Sequence, residues 1–403
     1  MHTFARFLLI ALLGALTPFA AHAAQPVTIL VSIDGFRPDY LERGVTPALT
    51  ALAEGGVNAA MRPSFPSKTF PNHWAIVTGA TPDRSGIVAN RMEDPRRPDE
   101  VFTMASTDPF WWNEAEPIWV TAERAGLRTA TMFWPGSNVA WGGAPGERPR
   151  DWHQFNEAVS NRQRVDAVLD WLRRPADTRP AFVTLYFDTV DTAGHEYGPD
   201  DPRTTEALAE IDRAVASLVD GLRQLEQPAN LVIVSDHGMA ATSPGRVVVL
   251  DTLADPTGYR IIESGPFVTL EPQPGQETAV AASLLRPHPH MECWRKADIP
   301  ARLRYGRHPR VASILCLAEV GWLIEPDAQA SEVQPGGNHG YDNTAAEMAA
   351  LFIANGPAFR SGVRLPAFDN VDVNPLLRRL LGLPSSAQID GSDTALRGAL
   401  VEP

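Results

Sequence analysis

Apolar and polar positions alternate along this chain in blocks. Short β-branched runs give way to a turn, then to a pattern of helical period. The runs are VTILVSI (residues 27–33), AFVTLYF (181–187), NLVIVSDHG (230–238) and MAALFIANG (348–356). Continuous apolar runs of this length suit parallel strands covered by helices on both faces. Helical patterns fall between them, over residues 46–55, 117–125, 161–173 and 203–225. The alternation predicts an α/β sandwich, with a largely parallel central sheet and helices on both faces. One catalytic-sized domain over residues 24–403 accommodates all of it. Residues 255–327 lack the rhythm and are rich in Pro, Arg and His, which predicts a small accessory lobe inserted in that domain. A further stretch, PSFPSKTFPNHWAIVTG, sets three prolines around Thr69, and the pattern beyond predicts a helix beginning near Asn72. Stiff residues there hold one hydroxyl just ahead of a helix N-terminus.

Composition changes little of this. A hydrophobic share of 44% and a charged share of 21% are ordinary for a folded chain. The first residues are different. A basic start, the apolar run FLLIALLGALTPFA and the small-residue pattern AHA predict a signal peptide over residues 1–23. The run is short for a membrane span, so no membrane attachment is expected after cleavage. Cleavage removes Arg6 and no acid, moving the formal net charge from −13 to −14. A surface that negative disfavours polymeric nucleic acid and anionic lipid. An anionic substrate would need positive charge supplied locally. Nothing implies a protein partner, and a periplasmic or secreted location follows from the leader. The two cysteines, Cys293 and Cys316, read as a structural disulfide in an exported protein.

In open α/β sheets the ligand crevice lies off the carboxyl ends of the strands. Asp34 closes the first run, Asp191 and His195 follow the second, and Asp236 and His237 close the third. His339 sits in the glycine-rich GGNHGYDN, ahead of the fourth. Asp191 and His195 are four residues apart, so one helical turn puts them on one face. Taken alone, an Asp after a strand is also the ordinary helix N-cap, and a D-x-x-x-H pair is a weak signal. An Asp-His pair ending a wholly apolar strand has no structural need to be there. Together these residues predict a site for two divalent metal ions, of zinc or manganese type by ligand chemistry. Metals are among the few means of ionising a threonine hydroxyl, and the helix N-terminus behind Thr69 favours an anionic electrophile, as a phosphorus ester is.

PSKTFPNHWAIVTG, DTAGHEYGPD, VSDHGM and NHGYDN, in that order, resemble the nucleotide pyrophosphatase/phosphodiesterase branch of the alkaline phosphatase superfamily. The bacterial secreted members are similar over residues 27–383. The resemblance implies an alkaline-phosphatase-like fold and two zinc ions. One ion would be held by Asp191, His195 and His339, the other by Asp34, Thr69, Asp236 and His237. It implies that Asn90 donates its amide to a non-bridging phosphate oxygen, and that Phe70 and Tyr186 sandwich a nucleobase. The expected reaction cleaves small nucleotide phosphodiesters or pyrophosphates through a phospho-threonine and releases a nucleoside 5'-monophosphate. Rival readings are a phosphomonoesterase on the same scaffold and a silent periplasmic zinc-binding protein. A sulfatase would need Cys or Ser where Thr69 stands. Lys68 reads as a solvated lysine, His73 as a packing residue under the turn, and His288 with His290 as a weak third-metal pattern.

Overall fold

The computed structural model describes residues 26–143 and 145–401. The expected signal peptide lies outside the described residues. Among them no helix is long and apolar enough to cross a membrane.

Among the described residues, nine strands form the main sheet. Eight of them are β1 (Val27–Ile33), β2 (Val57–Arg62), β3 (Thr129–Met132), β4 (Asp151–Trp152), β5 (Phe182–Phe187), β6 (Ala229–Val234), β7 (Ala350–Asn355) and β8 (Val363–Arg364). Their order is β8-β2-β7-β6-β1-β5-β3-β4, and the ninth, Phe368–Asp369, pairs with β2 beside β8. The helices that matter for the site are α1 (Pro47–Gly55), α2 (Thr69–Thr78), α3 (Asn161–Leu172), α4 (Thr189–Tyr197) and α5 (Pro202–Gln224).

Alternate residues of the central strands feed two separate cores, as a sheet covered on both faces requires. Leu30, Val232 and Val234 pack with Trp74, Ile76 and Val77 of α2. Val31, Ile233 and Leu185 pack on the other face with Leu49 of α1, Val168 of α3 and Ile211 of α5. Every residue of β1 is buried, which explains its predominantly apolar run.

The register sets the strand ends level. β1 lies between β5 and β6, parallel to both, with Ile33 opposite Phe187 and Ser32 opposite Val234. The residues after these three strands therefore leave the sheet side by side. The run at 348–356 departs from the parallel expectation, because β7 is antiparallel to both β6 and β2. Its reversed direction brings the chain before β7, and not after it, to the crevice. His339 reaches the site that way.

Residues 259–318 contain a second, four-stranded antiparallel sheet. Its strands are Tyr259–Glu263, Phe267–Pro272, Ile314–Ala318 and Met291–Arg295, in spatial order, with their own core around Val268, Leu270 and Leu284. Cys293 and Cys316 face each other in its register and are disulfide-bonded.

Candidate metal centre

Helix α2 begins at Thr69, three residues earlier than the sequence pattern indicated, with Lys68 as its N-cap. Pro71 falls in the first turn, where a missing N–H costs nothing, so the proline that suggested a preceding turn is inside the helix. The turn is tied by Asn72, a residue the sequence reading passed over. Its Oδ1 accepts from the Ser64 N–H at 2.7 Å, and its Nδ2 donates to the carbonyls of Pro66 at 2.9 Å and Lys68 at 2.8 Å. An asparagine in the first turn of a mostly apolar helix is the sequence signal that could have found it, and the structure buries it fully. His73 packs under the turn as expected, with Nδ1 2.9 Å from the Thr69 carbonyl and Nε2 2.8 Å from Ser32 Oγ.

Two groups of acidic and imidazole side chains meet at the strand ends. Asp34, Asp236 and His237 form one, Asp191, His195 and His339 the other, and within each the ligand-type atoms lie within 4.8 Å of one another. His237 Nε2 is 2.9 Å from Asp236 Oδ2 and 3.5 Å from Asp34 Oδ1. Thr69 Oγ1 is 3.3 Å from the same nitrogen. In the second group, His195 Nε2 is 3.5 Å and His339 Nε2 3.8 Å from oxygens of Asp191, which shares helix α4 with His195. The rings of His237 and His339 stack at 3.5 Å, so the groups adjoin. Gly35 permits the approach. Its φ is +71°, and a Cβ there would meet Asp191 at about 3 Å.

The donor set carries its own chemical indication. His195 Nδ1 donates to the Gly337 carbonyl, His237 Nδ1 to that of Gly238, and His339 Nδ1 to that of Ser67, at 2.9, 2.9 and 2.8 Å. A carbonyl can only accept, so in each neutral ring the Nε2 lone pair is turned towards the carboxylates. Carboxylates can only accept as well. Among the described residues, Asp34 Oδ1, Asp191 Oδ1 and Asp236 Oδ2 are all buried without a hydrogen-bond partner, His73 Nδ1 lying 3.4 Å from the last. Buried acceptors facing acceptors are costly unless a cation lies between them. Histidines fixed through Nδ1 to a carbonyl, with Nε2 inward, are the usual arrangement of metal-ligating imidazoles. The residues present therefore fit two divalent ions. Burial, with the charges of Asp236 and Asp191 added, holds the Asp34 carboxyl well above its usual range. Burial, and then the neighbouring His237, Lys68 and His195, holds His339 well below its own.

The remaining expected residues border this centre, two of them differently from the sequence reading. Asn90 Oδ1 accepts from the Phe70 N–H at 2.9 Å, which leaves its NH2 as the group turned to other acceptors. Phe70 is half-buried against Phe102 and Trp112. Tyr186 is only 9% exposed, and its hydroxyl donates to Asp34 Oδ2 at 2.8 Å. That bond commits the ring to orienting a carboxylate of the centre, so Tyr186 is not an open stacking face. The exposed aromatic beside it is Phe155, 41% accessible and edge-on to Tyr186 at 5.8 Å. A phenylalanine in the polar stretch DWHQFNE was its sequence signal. Lys68 is not solvated. It is 7% exposed, with Nζ 3.4 Å from Asn338 Oδ1 and 5.8 Å from the Phe267 ring, and burial lowers its pKa. The lobe covers it. His288 and His290 are engaged separately, His288 on the Ser283 carbonyl and His290 stacked on Trp322 and bonded to Glu319.

Residues 28–342 match the sequence profile of the family described as type I phosphodiesterase / nucleotide pyrophosphatase. The bis(5'-adenosyl)-triphosphatase enpp4 of Xenopus laevis is 37% identical over 367 residues, which are 90% of this chain and 79% of that protein. Human ectonucleotide pyrophosphatase/phosphodiesterase 5 superposes with a TM-score of 0.89 at 34% identity, covering 94% of this chain and all of its own. An inactive threonine-to-alanine variant of the mouse counterpart, in complex with AMP, gives a TM-score of 0.88 at 33% identity, over 93% of this chain and all of its own. These relatives are animal proteins, so they lend nothing to the bacterial branch that the sequence motifs resembled.

Proposed function

Because this chain belongs to the type I phosphodiesterase / nucleotide pyrophosphatase family, we propose that it cleaves small nucleotide phosphodiesters or pyrophosphates through a phospho-threonine on Thr69, releasing a nucleoside 5'-monophosphate. It is an enzyme of nucleotide pyrophosphatase/phosphodiesterase type, with the alkaline-phosphatase-like α/β fold of its structural neighbours, and the family is metal-dependent. The observation that carries the reading is the hydroxyl of Thr69 beside six ligand-type side chains whose acceptor atoms converge.

In this reading Asp191, His195 and His339 would hold one zinc ion, and Asp34, Asp236, His237 and Thr69 the other. The ions would neutralise phosphate charge and lower the pKa of a hydroxyl or water they touch. The chain's own residues do the rest. Tyr186 and the backbone carbonyls behind the three histidines orient the ligand atoms. Helix α2 directs its positive end, and Thr69 on its first turn, at the phosphate. The Thr69 hydroxyl gives up its proton as the Oγ–phosphorus bond forms and the bond to the leaving oxygen breaks in line, the leaving group departing with a proton from solvent, and the Asn90 amide donates to a non-bridging oxygen. Water then displaces Thr69 Oγ from the vacated side, and the threonine regains its proton. An exported, periplasmic or secreted location is part of the proposal. The leader pattern and the Cys293–Cys316 disulfide support it, since such bonds persist in oxidising compartments.

The test sets nitrophenyl thymidine monophosphate, nitrophenyl phosphate and nitrophenyl sulfate side by side with zinc. The nucleotide diester should be turned over fastest. Preference for nitrophenyl phosphate would indicate a monoesterase, and no turnover at all a binding protein. Phe70→Ala and Phe155→Ala should lower kcat/KM on the thymidine ester by about 5- to 150-fold, the worth of one base–ring stack. Methyl nitrophenyl phosphate, which has no base, should be little affected. Equal losses on both substrates would remove these rings from base recognition.

A further inference from the structure

The segment carrying Asn90 is held from outside the main sheet. Between residues 305 and 310 the accessory region grips residues 83–88 at several points. The Gly306, Arg307 and His308 N–H groups all donate to the Asp83 carboxylate, at 2.8–3.0 Å. The fully buried Arg310 guanidinium donates to the Gly86 carbonyl at 2.7 Å, and also to Asp94 and to the Trp111 and Phe110 carbonyls. Asp83 and Arg310 anchor the outer part of this loop. Closer to Asn90 the contact is made by Tyr305, whose hydroxyl donates to the Val88 carbonyl at 3.1 Å. Burial raises the pKa of this phenol well above its usual value, so it remains a donor.

The same ring touches the nucleophile's segment. Tyr305 meets Phe65 edge-on, with centroids 5.2 Å apart, and Phe65 opens the turn that runs through Ser67 and Lys68 into Thr69. One side chain of the accessory region thus contacts both segments that meet at the reacting phosphate. Val88 is two residues before Asn90, and Phe65 four before Thr69. Among the described residues, the hydrogen bond that ties Asn90 to the nucleophile's helix is the one from the Phe70 N–H.

We propose that Tyr305 is a positioning residue, its hydroxyl fixing the 86–90 loop so that the Asn90 amide is aimed at the phosphate oxygen opposite Thr69. The inference rests on the role given to Asn90 above. Its logic is geometric: a donor stabilises the transition state only if preorganised, and displacements of about 1 Å can cost up to roughly 100-fold in rate.

The test is Tyr305→Phe, which removes one oxygen and keeps the ring on Phe65. We expect kcat on nitrophenyl thymidine monophosphate to fall about 5- to 50-fold with KM nearly unchanged, and metal content to match the parent protein. The deciding measurement is a double-mutant cycle. In an Asn90→Ala background, Tyr305→Phe should cost little more, because the group it aims has gone. A loss of the same factor with and without Asn90 would make Tyr305 merely structural and overturn the inference. So would parent-level kcat in the single variant. Failure of the underlying reading is separately visible, as Thr69→Ala would then retain its rate while the cycle was still measurable.

Discussion

Replacing Thr69 by alanine should abolish nearly all turnover and leave the protein folded and metal-loaded. A nucleophile acting as one unit with its activating groups typically supplies a factor on the order of 10³ to 10⁶ in kcat, and we expect a loss in that range on nitrophenyl thymidine monophosphate. The fold should survive because the hydroxyl is not part of what ties the turn. Asn72 bonds Ser64, Pro66 and Lys68, and His73 bonds the Thr69 carbonyl, which alanine keeps. Metal should be retained because six ligand-type side chains remain. Near-parent rates in Thr69→Ala would remove the covalent step.

Asp236→Ala should produce the opposite pattern, with metal and activity lost together. Asp236 is wholly buried, its Oδ2 has no hydrogen-bond partner among the described residues, and it lies 2.9 Å from His237 Nε2. Loss of an outer-shell partner alone costs about 10- to 100-fold in metal affinity. Removal of a direct ligand should cost at least roughly 100-fold, and His339→Ala should do the same in the adjoining group. Elemental analysis after dialysis against a weak chelator gives the readout. Full zinc occupancy in either variant would take that residue out of the ligand set.

What could be read before the structure was known follows from what each signal depends on. β1, β5 and β6 were legible because strands buried on both faces are predominantly apolar, and their register then fixes where Asp34, Asp191 and Asp236 emerge. His195 was legible from Asp191 through helical spacing. The direction of β7 was not, since an apolar run reads alike either way. The start of α2 was misplaced because prolines mark turns and first helical turns equally well. Lys68 and Tyr186 were misjudged for a different reason. Whether a lysine is covered depends on a lobe some 200 residues away in the chain, and whether an aromatic stacks on ligand depends on what its hydroxyl already holds. Tyr305 was overlooked because its work is done through a backbone carbonyl, which leaves no mark in residue type, whereas Asn72 left only a polar residue in the first turn of a mostly apolar helix.

The central claim is that phosphorus passes through Thr69, and the stereochemistry of hydrolysis tests it most directly. A thymidine phosphodiester made chiral at phosphorus with sulfur, cleaved in water enriched in heavy oxygen, yields a thymidine phosphorothioate whose configuration can be determined. Two in-line displacements, by Thr69 and then by water, predict net retention. Net inversion would mean that water attacks the substrate directly, and would contradict the account.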